Sequence, residues 1–362
     1  MKIGIVTFHR AHNCGAALQC VALVTILQRM GHDVKVIDCN DIGDGLRIHI
    51  ERPYSIRSVL SFAKRMVREW GNVHRRRYRR FMNKYIPLLP SGVSGEIPAG
   101  LDCYVLGSDQ VLNPSIISGN ERAFLLSDLS DDNKKISYAA SFGVSTLPEN
   151  NRKIYADALR RFRLLSFREA SALKICKNEL DLDGEMHVVL DPTLLLDADD
   201  YRCFERKVDV DGEYVLVYTV GGAMSAVNVL ANEIASRYGL KVVFATLIFN
   251  NPEPYWLAVS PDELLYLARN ATYIVTTSFH GTAFSIINRK PFLTVMPDGQ
   301  KVSGRITDLL EKLNLSKRIV RENTLPGGST LDALLKIDYS ATLPSLCELR
   351  MRSLGFLEEA LS

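Results

Sequence analysis

"ATYIVTTSFHGTAFSIINRKPFLTV", residues 271–295, is the stretch whose reading decides the fold. Its first residues are apolar and β-branched, the composition of a strand buried on both faces. From "SFHG" onward the apolar residues take helical spacing, and "RKP" stops the helix before "PFLTV" begins a second strand. A strand, a helix and a strand in such succession imply parallel strands joined by a right-handed crossover. The end of the first strand, "TTS", therefore lies at the carboxyl edge of a sheet, where open α/β sheets bind ligands. A helix starting near Phe279 or His280 turns free N–H groups and its positive dipole end to the same edge, which suits phosphate. Gly281 would let a ligand approach the backbone closely. His280 would stand beside that ligand with a side chain type that titrates near neutrality. A capping or packing role is the competing reading for His280, and the strand-end position favours the site.

The same alternation runs outward in both directions. "KIGIVTF" (2–8) leads through a loop to the helical "GAALQCVALVTILQRMG" (15–31) and the strand "DVKVIDC" (33–39). Further strands are expected at 103–108, 134–141, 163–169 and 186–192, with helices at 151–162 and 168–178. The rhythm restarts with "YVLVYTV" (214–220), a helix over 223–239, "KVVFATLI" (241–248) and a helix over 260–270 with Ser260 as N-cap and Pro261 at its first position. We expect two α/β halves: residues 1–200, joined by a C-terminal helix (345–362) packing back on them, and residues 210–340 carrying the SFHG helix start. The charged stretch 194–213 has no buried strand and marks the joint.

The 362 residues are 47% hydrophobic and 23% charged, with a formal net charge of +3, ordinary for a globular protein and too small to imply nucleic acid as partner. No apolar run approaches the roughly 18 residues of a membrane span. "MKIGIVTF" reads as a first strand rather than a signal peptide, so a cytoplasmic protein is expected. Seven scattered cysteines suggest neither a disulfide framework nor a zinc site. Walker, G-x-S-x-G and H-E-x-x-H motifs are missing, as is a carboxylate trio suited to magnesium, and no metal is expected.

Residues 47–86 break the pattern. From Arg52 to Lys84 the chain carries Arg52, Arg57, Lys64, Arg65, Arg68, Arg75, Arg76, Arg77, Arg79, Arg80 and Lys84 against the single acid Glu69. Aromatic and aliphatic residues interleave at helical spacing, which describes a basic amphipathic insertion. Such a face is either merely solvated or a contact for an anionic membrane surface or a diphosphate-bearing acceptor.

Other strand ends offer polar groups. "TFHRAHNCGAALQ" (7–19) places His9, His12, Asn13 and Gly15 at the first strand-to-helix junction, without the glycines of a dinucleotide fingerprint. "CYVLGSDQVLNP" presents Ser108, Asp109, Gln110 and Asn113, suited either to sugar hydroxyls or to loop capping. "LLSFREAS" ends a strand on Arg168, whose guanidinium suits a carboxylate or phosphate and equally suits Glu169. "GRITDLL" sets Arg305 at a helix start, where a cation is unfavourable unless an anion binds there.

Taken in order, "NCGAALQ", "VLGSDQVLNP", "KISYAASFG", "LLSFREAS", "VVLDPTLLL", "TTSFHGTAFSIINRKPF" and "SGRITDLL" make the chain resemble the polysaccharide pyruvyl transferase family from about Lys2 to Leu310. The resemblance implies two Rossmann-like α/β domains in a glycosyltransferase-B-type arrangement with the ligand cleft between them. It implies transfer of the enolpyruvyl-derived group of phosphoenolpyruvate to a hexose of a lipid-linked surface glycan, forming a pyruvate ketal and releasing phosphate, with no further cofactor. His280 matches the histidine given a catalytic role, and Arg168 a donor-binding arginine. Ser278, Gly281, Thr282, Arg305 and Lys290 are expected around the donor. His12, Asn13, Gly15, Ser108, Asp109, Gln110 and Asn113 are expected around the acceptor. Some relatives carry Arg where this chain has Ser278, so Arg289, Lys290 or Arg305 would have to supply that charge. A sugar-nucleotide glycosyltransferase of the same fold and a non-catalytic glycan-binding member are the alternatives.

Overall fold

A computed structural model describes residues 1–11, 13–38, 73–91, 96–220, 223–246, 256–298 and 304–362. His12 and residues 39–72, which take in residues 47–72 of the basic segment, lie outside this set.

Two parallel sheets organise the described chain. The first has strands β1 (Lys2–Val6), β2 (Asp33–Asp38), β3 (Leu88–Pro90), β4 (Cys103–Leu106) and β5 (Lys135–Ser137), ordered β3-β2-β1-β4-β5. A short pair, β6 (Leu165–Phe167) and β7 (Met186–Val188), continues it through the parallel bridges Ile136–Leu164 and Ala140–Phe167. The second has β8 (Tyr214–Tyr218), β9 (Lys241–Thr246), β10 (Trp256–Ala258), β11 (Tyr273–Thr276), β12 (Phe292–Met296) and β13 (Ile319–Arg321), ordered β10-β9-β8-β11-β12-β13. In each sheet the chain starts in the middle, works outward to one edge, and then crosses to the other side. The order therefore reverses between β1 and β4 and between β8 and β11, leaving a crevice above each reversal.

The edge strands β3, β10 and β13 were not expected from the sequence. Each has three residues, too few to show a period. Their edge positions come from pairing with a neighbour rather than from their own apolar pattern.

Among the described residues the helices of eight or more residues are α1 (Cys14–Arg29), α2 (Val73–Tyr85), α3 (Glu149–Leu159), α4 (Ala170–Asn178), α5 (Met224–Tyr238), α6 (Pro261–Asn270), α7 (Phe279–Ile287), α8 (Gly304–Lys312), α9 (Gly328–Leu335) and α10 (Thr342–Ala360). No described helix is long and apolar enough to cross a membrane. Every residue of α7 is buried, as befits a helix apolar on all sides. Its sequence allows this because Gly281 presses against β11: a Cβ there would lie 2.2 Å from Thr276 Oγ1.

One apolar cluster spans both sheets, from Ile3, Leu18 and Leu27 to Tyr214, Phe284 and Phe292, with Tyr201 meeting Phe284 edge-on at 5.1 Å. The C-terminal helix α10 packs on the first half. Ser353 Oγ accepts the Leu190 N–H at 2.9 Å, and Phe356 touches Tyr138 and His187. Arg350 donates to the carbonyls of Leu194 and Leu196. α10 thus braces the loop after β7, which carries Asp191.

Candidate active site

A cavity of about 980 Å³ opens between the two sheets at their carboxyl edges. Its lining follows the strand ends: Phe8 and Asn13 after β1, Asp109 and Gln110 after β4, Glu169 after β6, Val220 after β8, and Ser278 and His280 after β11. Both crevices predicted by the strand orders thus meet in one space.

His280 enters from the second half. Ser278 is the N-cap of α7, its Oγ 3.4 Å from the Gly281 N–H, and this cap fixes where the helix begins. The imidazole is 6% exposed, edge-on to the Phe279 ring at 5.3 Å. Its Nε2 has no hydrogen-bond partner and stands 3.7 Å from Asp191 Oδ2. That distance is too long for a hydrogen bond but short for a charge pair. On its other side the ring abuts the start of α1, where a Cβ on Gly15 would lie 2.2 Å from Nδ1. Gly15 is therefore the residue that leaves room for the histidine, not a contact for a ligand. Asn13 caps α1, its Oδ1 accepting from the Gly15 and Ala16 N–H groups, and it also lines the cavity.

Asp191 had no assigned role in the sequence reading and proves to be the hub of the wall. It is 1% exposed. Oδ1 accepts from the Thr193 N–H and hydroxyl, and Oδ2 from Ser108 Oγ at 2.9 Å and Arg168 Nη1 at 2.7 Å. Burial works to raise its pKa, but the His280 imidazole, the Arg168 guanidinium and the Thr193 donors outweigh it and hold the carboxyl far below the usual range. The signal lay in "LDP": a carboxylate at a strand end followed by the proline that starts a short helix.

Arg168 was expected at the donor and, as an alternative, paired with Glu169. It does neither. Its side chain is 1% exposed, lies outside the cavity lining, and is divided between Asp191 and Asp109, with the Phe279 ring 4.6 Å below it. Two carboxylates and an aromatic face balance the charge of the buried guanidinium better than one neighbour on the same chain turn could, while its Nε has no partner. Asp109, the other partner, holds a left-handed φ of 76°, a conformation that costs a non-glycine residue about 1–3 kcal/mol and collects at functional sites.

Arg305 does reach the cavity. Its side chain is 18% exposed and Nη1 lies 3.9 Å from Asp109 Oδ1. Burial and the neighbouring Arg168 lower its pKa against the pull of Glu169, Asp109 and Asp191.

Glu169 also lines the cavity and was not anticipated as a site residue. It is 2% exposed, Oε1 accepts from Ser141 Oγ at 2.7 Å, and Oε2 has no partner. Burial raises its pKa against the opposing pull of Arg168 and Arg305.

Several expected contacts are used by the fold instead. Ser108 is fully buried and donates to Asp191. Asn113 caps a short helix and bonds Gln110, outside the cavity lining. Thr282 is fully buried between Ser278 O and Thr294 Oγ1. Gly281 makes room for Thr276 rather than for a ligand. Lys290 follows the far end of α7, where no donor at His280 can reach, and Arg289 beside it is exposed. Ser108, Gly281 and Thr282 lie close in the chain to lining residues but turn to partners within the protein, and Lys290 lies beyond the opposite end of α7 from His280. His9 bonds Thr7 O and Asp38 and does not line the cavity. Asp109, Gln110, Asn13, Ser278, His280 and Arg305 are the expected residues that the structure does bring together.

The described part of the basic segment begins with α2. Tyr78 is buried and its hydroxyl donates to the carbonyls of Ala11 and Asn13, while Arg77 pairs with Glu263 at 2.9 Å. Arg76, Arg79, Arg80 and Lys84 remain exposed and, with Asn83, line an open concavity of about 570 Å³. Ala11 and Asn13 also line the main cavity, so this basic helix is rooted on its rim.

Solved structures similar to this chain include UDP-N-acetylglucosamine 2-epimerases from Rickettsia bellii (11% identical, 99% of this chain and 95% of that one, TM-score 0.50) and Neisseria meningitidis (12%, 98% and 99%, TM-score 0.46). A glycosyltransferase of Streptomyces is also similar (12%, 98% and 96%, TM-score 0.42). At such identities the likeness concerns the fold alone, and with the two parallel sheets it gives a glycosyltransferase-B-like α/β architecture. Curated proteins yield no match to the sequence. The family model for polysaccharide pyruvyl transferases matches residues 13–299, which takes in every cavity-lining residue from Asn13 to Pro297, and the chain belongs to that family.

Proposed function

We propose that this chain moves the enolpyruvyl-derived group of phosphoenolpyruvate onto a hexose of a lipid-linked surface-glycan precursor, forming a pyruvate ketal and releasing phosphate. Family membership supports the reading. The observation that carries it is His280: a cavity-lining imidazole with a fully buried carboxylate 3.7 Å behind it and the cation Arg305 in the same lining.

The chemistry needs three things of the protein. A proton must reach the methylene carbon of the donor, which makes C2 electrophilic. A sugar hydroxyl must add to C2 while losing its proton. The phosphate must then leave, so that a second hydroxyl closes the ketal. Of the two hydroxyl protons, one balances the proton gained by the methyl carbon and the other the departing phosphate. His280 is the base for the attacking hydroxyl, and Asp191 favours the imidazolium that results, a role worth roughly 10²- to 10⁴-fold. Arg305 and the capped N-terminus of α7 at Ser278 receive donor anionic groups. Asn13, Asp109 and Gln110 face the acceptor hexose. The exposed cations of α2 hold the acceptor's diphosphate at an anionic membrane surface.

The test is phosphate release from phosphoenolpyruvate with a lipid-linked hexose oligosaccharide, followed by mass spectrometry of the lipid product. Wild type releases phosphate and adds one pyruvate ketal; His280→Ala keeps its melting temperature and releases none. Normal turnover by His280→Ala sinks the assigned role. Release of a nucleoside diphosphate from a sugar nucleotide, with phosphoenolpyruvate untouched, makes the protein a glycosyltransferase instead. Glycan binding without turnover of either donor makes it a non-catalytic member.

A further inference from the structure

The proposed transfer needs an acid as well as a base, and His280 beside its carboxylate serves as the base. The described cavity lining contains the carboxyl side chains Asp109 and Glu169. Asp109 is committed: it accepts from Arg168 and from the Gln110 N–H, with Arg305 3.9 Å away.

Glu169 is placed differently. It occupies the N-cap position of α4 yet makes no side-chain cap bond. Its carboxyl turns instead toward the loop after β5, where Oε1 takes the Ser141 hydroxyl at 2.7 Å and Oε2 takes nothing. Asp308 Oδ2 takes the Ala170 N–H at the start of α4 at 2.7 Å instead, and a carboxyl oxygen left unpaired in a side chain 2% exposed costs stability. Such an arrangement is expected where a group is kept for a ligand.

Resting on the pyruvyl-transfer reading, we infer that Glu169 is the acid that protonates the methylene carbon of the donor. The bond formed is C–H at that carbon, the bond broken is O–H at Glu169, and the electron pair comes from the donor's double bond. The carboxylate left behind lies near Arg305 and Arg168, which stabilise it, and it regains its proton from water, in balance with the hydroxyl proton that His280 takes up and returns to solvent. The charged groups around Glu169 are Arg168 and Arg305, with Asp308 of α8 on the neighbouring Ala170 N–H and Lys312 of α8 farther out, and Ser141 is its hydrogen-bond donor. Burial prevails over these cations and keeps the carboxyl more readily protonated than an exposed one. His280 and Glu169 are contributed by opposite halves, so the sugar and the methylene carbon can be served from two sides.

The experiment compares wild type, Glu169→Gln and Ser141→Ala, with phosphoenolpyruvate and the glycan acceptor. Glu169→Gln keeps the shape and the oxygen that Ser141 bonds but cannot release a proton. Its kcat is expected to fall roughly 10²- to 10⁴-fold, with donor binding by calorimetry and the melting temperature unchanged. An acid must be protonated to act, so wild-type kcat falls as pH rises through its pKa. Ser141→Ala removes a bond that stabilises the carboxylate and moves this alkaline limb to higher pH. In deuterated solvent the wild-type product gains deuterium in its methyl group. Glu169→Gln within threefold of wild type, or an unmoved alkaline limb in Ser141→Ala, overturns the inference alone. Wild type that leaves phosphoenolpyruvate untouched overturns it together with the reading it rests on.

Discussion

Arg168 and Arg305 are both arginines at the carboxyl edge of the sheets, both flank Asp109, and both were expected to hold the donor. The structure separates them. Arg168 is sealed into the first half with two carboxylates and an aromatic ring, and it leaves no face to the cavity. Arg305 comes from the other half at the start of α8, meets Asp109 only at 3.9 Å, and faces the space. Residue type is thus a poor guide to role. What distinguishes a wall from a ligand contact is whether the guanidinium's charge is already balanced by the protein.

The largest effect that tests this contrast is on stability. Arg168→Ala strands Asp191 and Asp109 as buried carboxylates without their cation, which costs about 3–5 kcal/mol. We expect a melting temperature many degrees below wild type by calorimetry. A variant that melts normally yet fails to bind phosphoenolpyruvate would return Arg168 to the donor site and break the contrast. Next in size is Gly15→Ala. The added methyl displaces the His280 ring without touching any charge, and kcat is expected to drop about 10²-fold from misplacement alone; a variant with normal kcat would show that the ring has freedom to shift. Smaller again is Arg305→Ala. Losing one solvent-touching cation should raise the donor KM about tenfold, near 1.4 kcal/mol, with little change in melting temperature. A pronounced loss of stability there would show that the two arginines share a structural role after all. Lys290→Ala, at the wrong end of α7, should leave both KM and kcat as they are.

Much of the fold was legible because parallel strands buried on both faces announce themselves as short apolar runs. "KIGIV", "YVLVY" and "FLTVM" form β1, β8 and β12, and Ser260 with Glu263 makes the capping box that starts α6. The edge strands were not legible because three residues carry no periodicity. At the site, His280, Arg305, Asp109 and Gln110 could be found because each follows a strand. Asp191 and Glu169 also follow strands, but the only local mark is the proline after Asp191, and Glu169 has none. Their roles depend on burial and on partners such as Ser108 and Ser141, which lie 83 and 28 residues away.

The sequence by itself determined that the chain alternates strands and helices, that its strands run parallel, and which loops stand at their carboxyl ends. These follow from local composition and from the fixed hand of the crossover. Only the tertiary structure decided which of those loops meet, and hence that Arg168 is wall, Arg305 is lining, and Asp191 stands behind His280. Charge balance among buried groups is a property of three-dimensional neighbours, and no spacing along the chain encodes it.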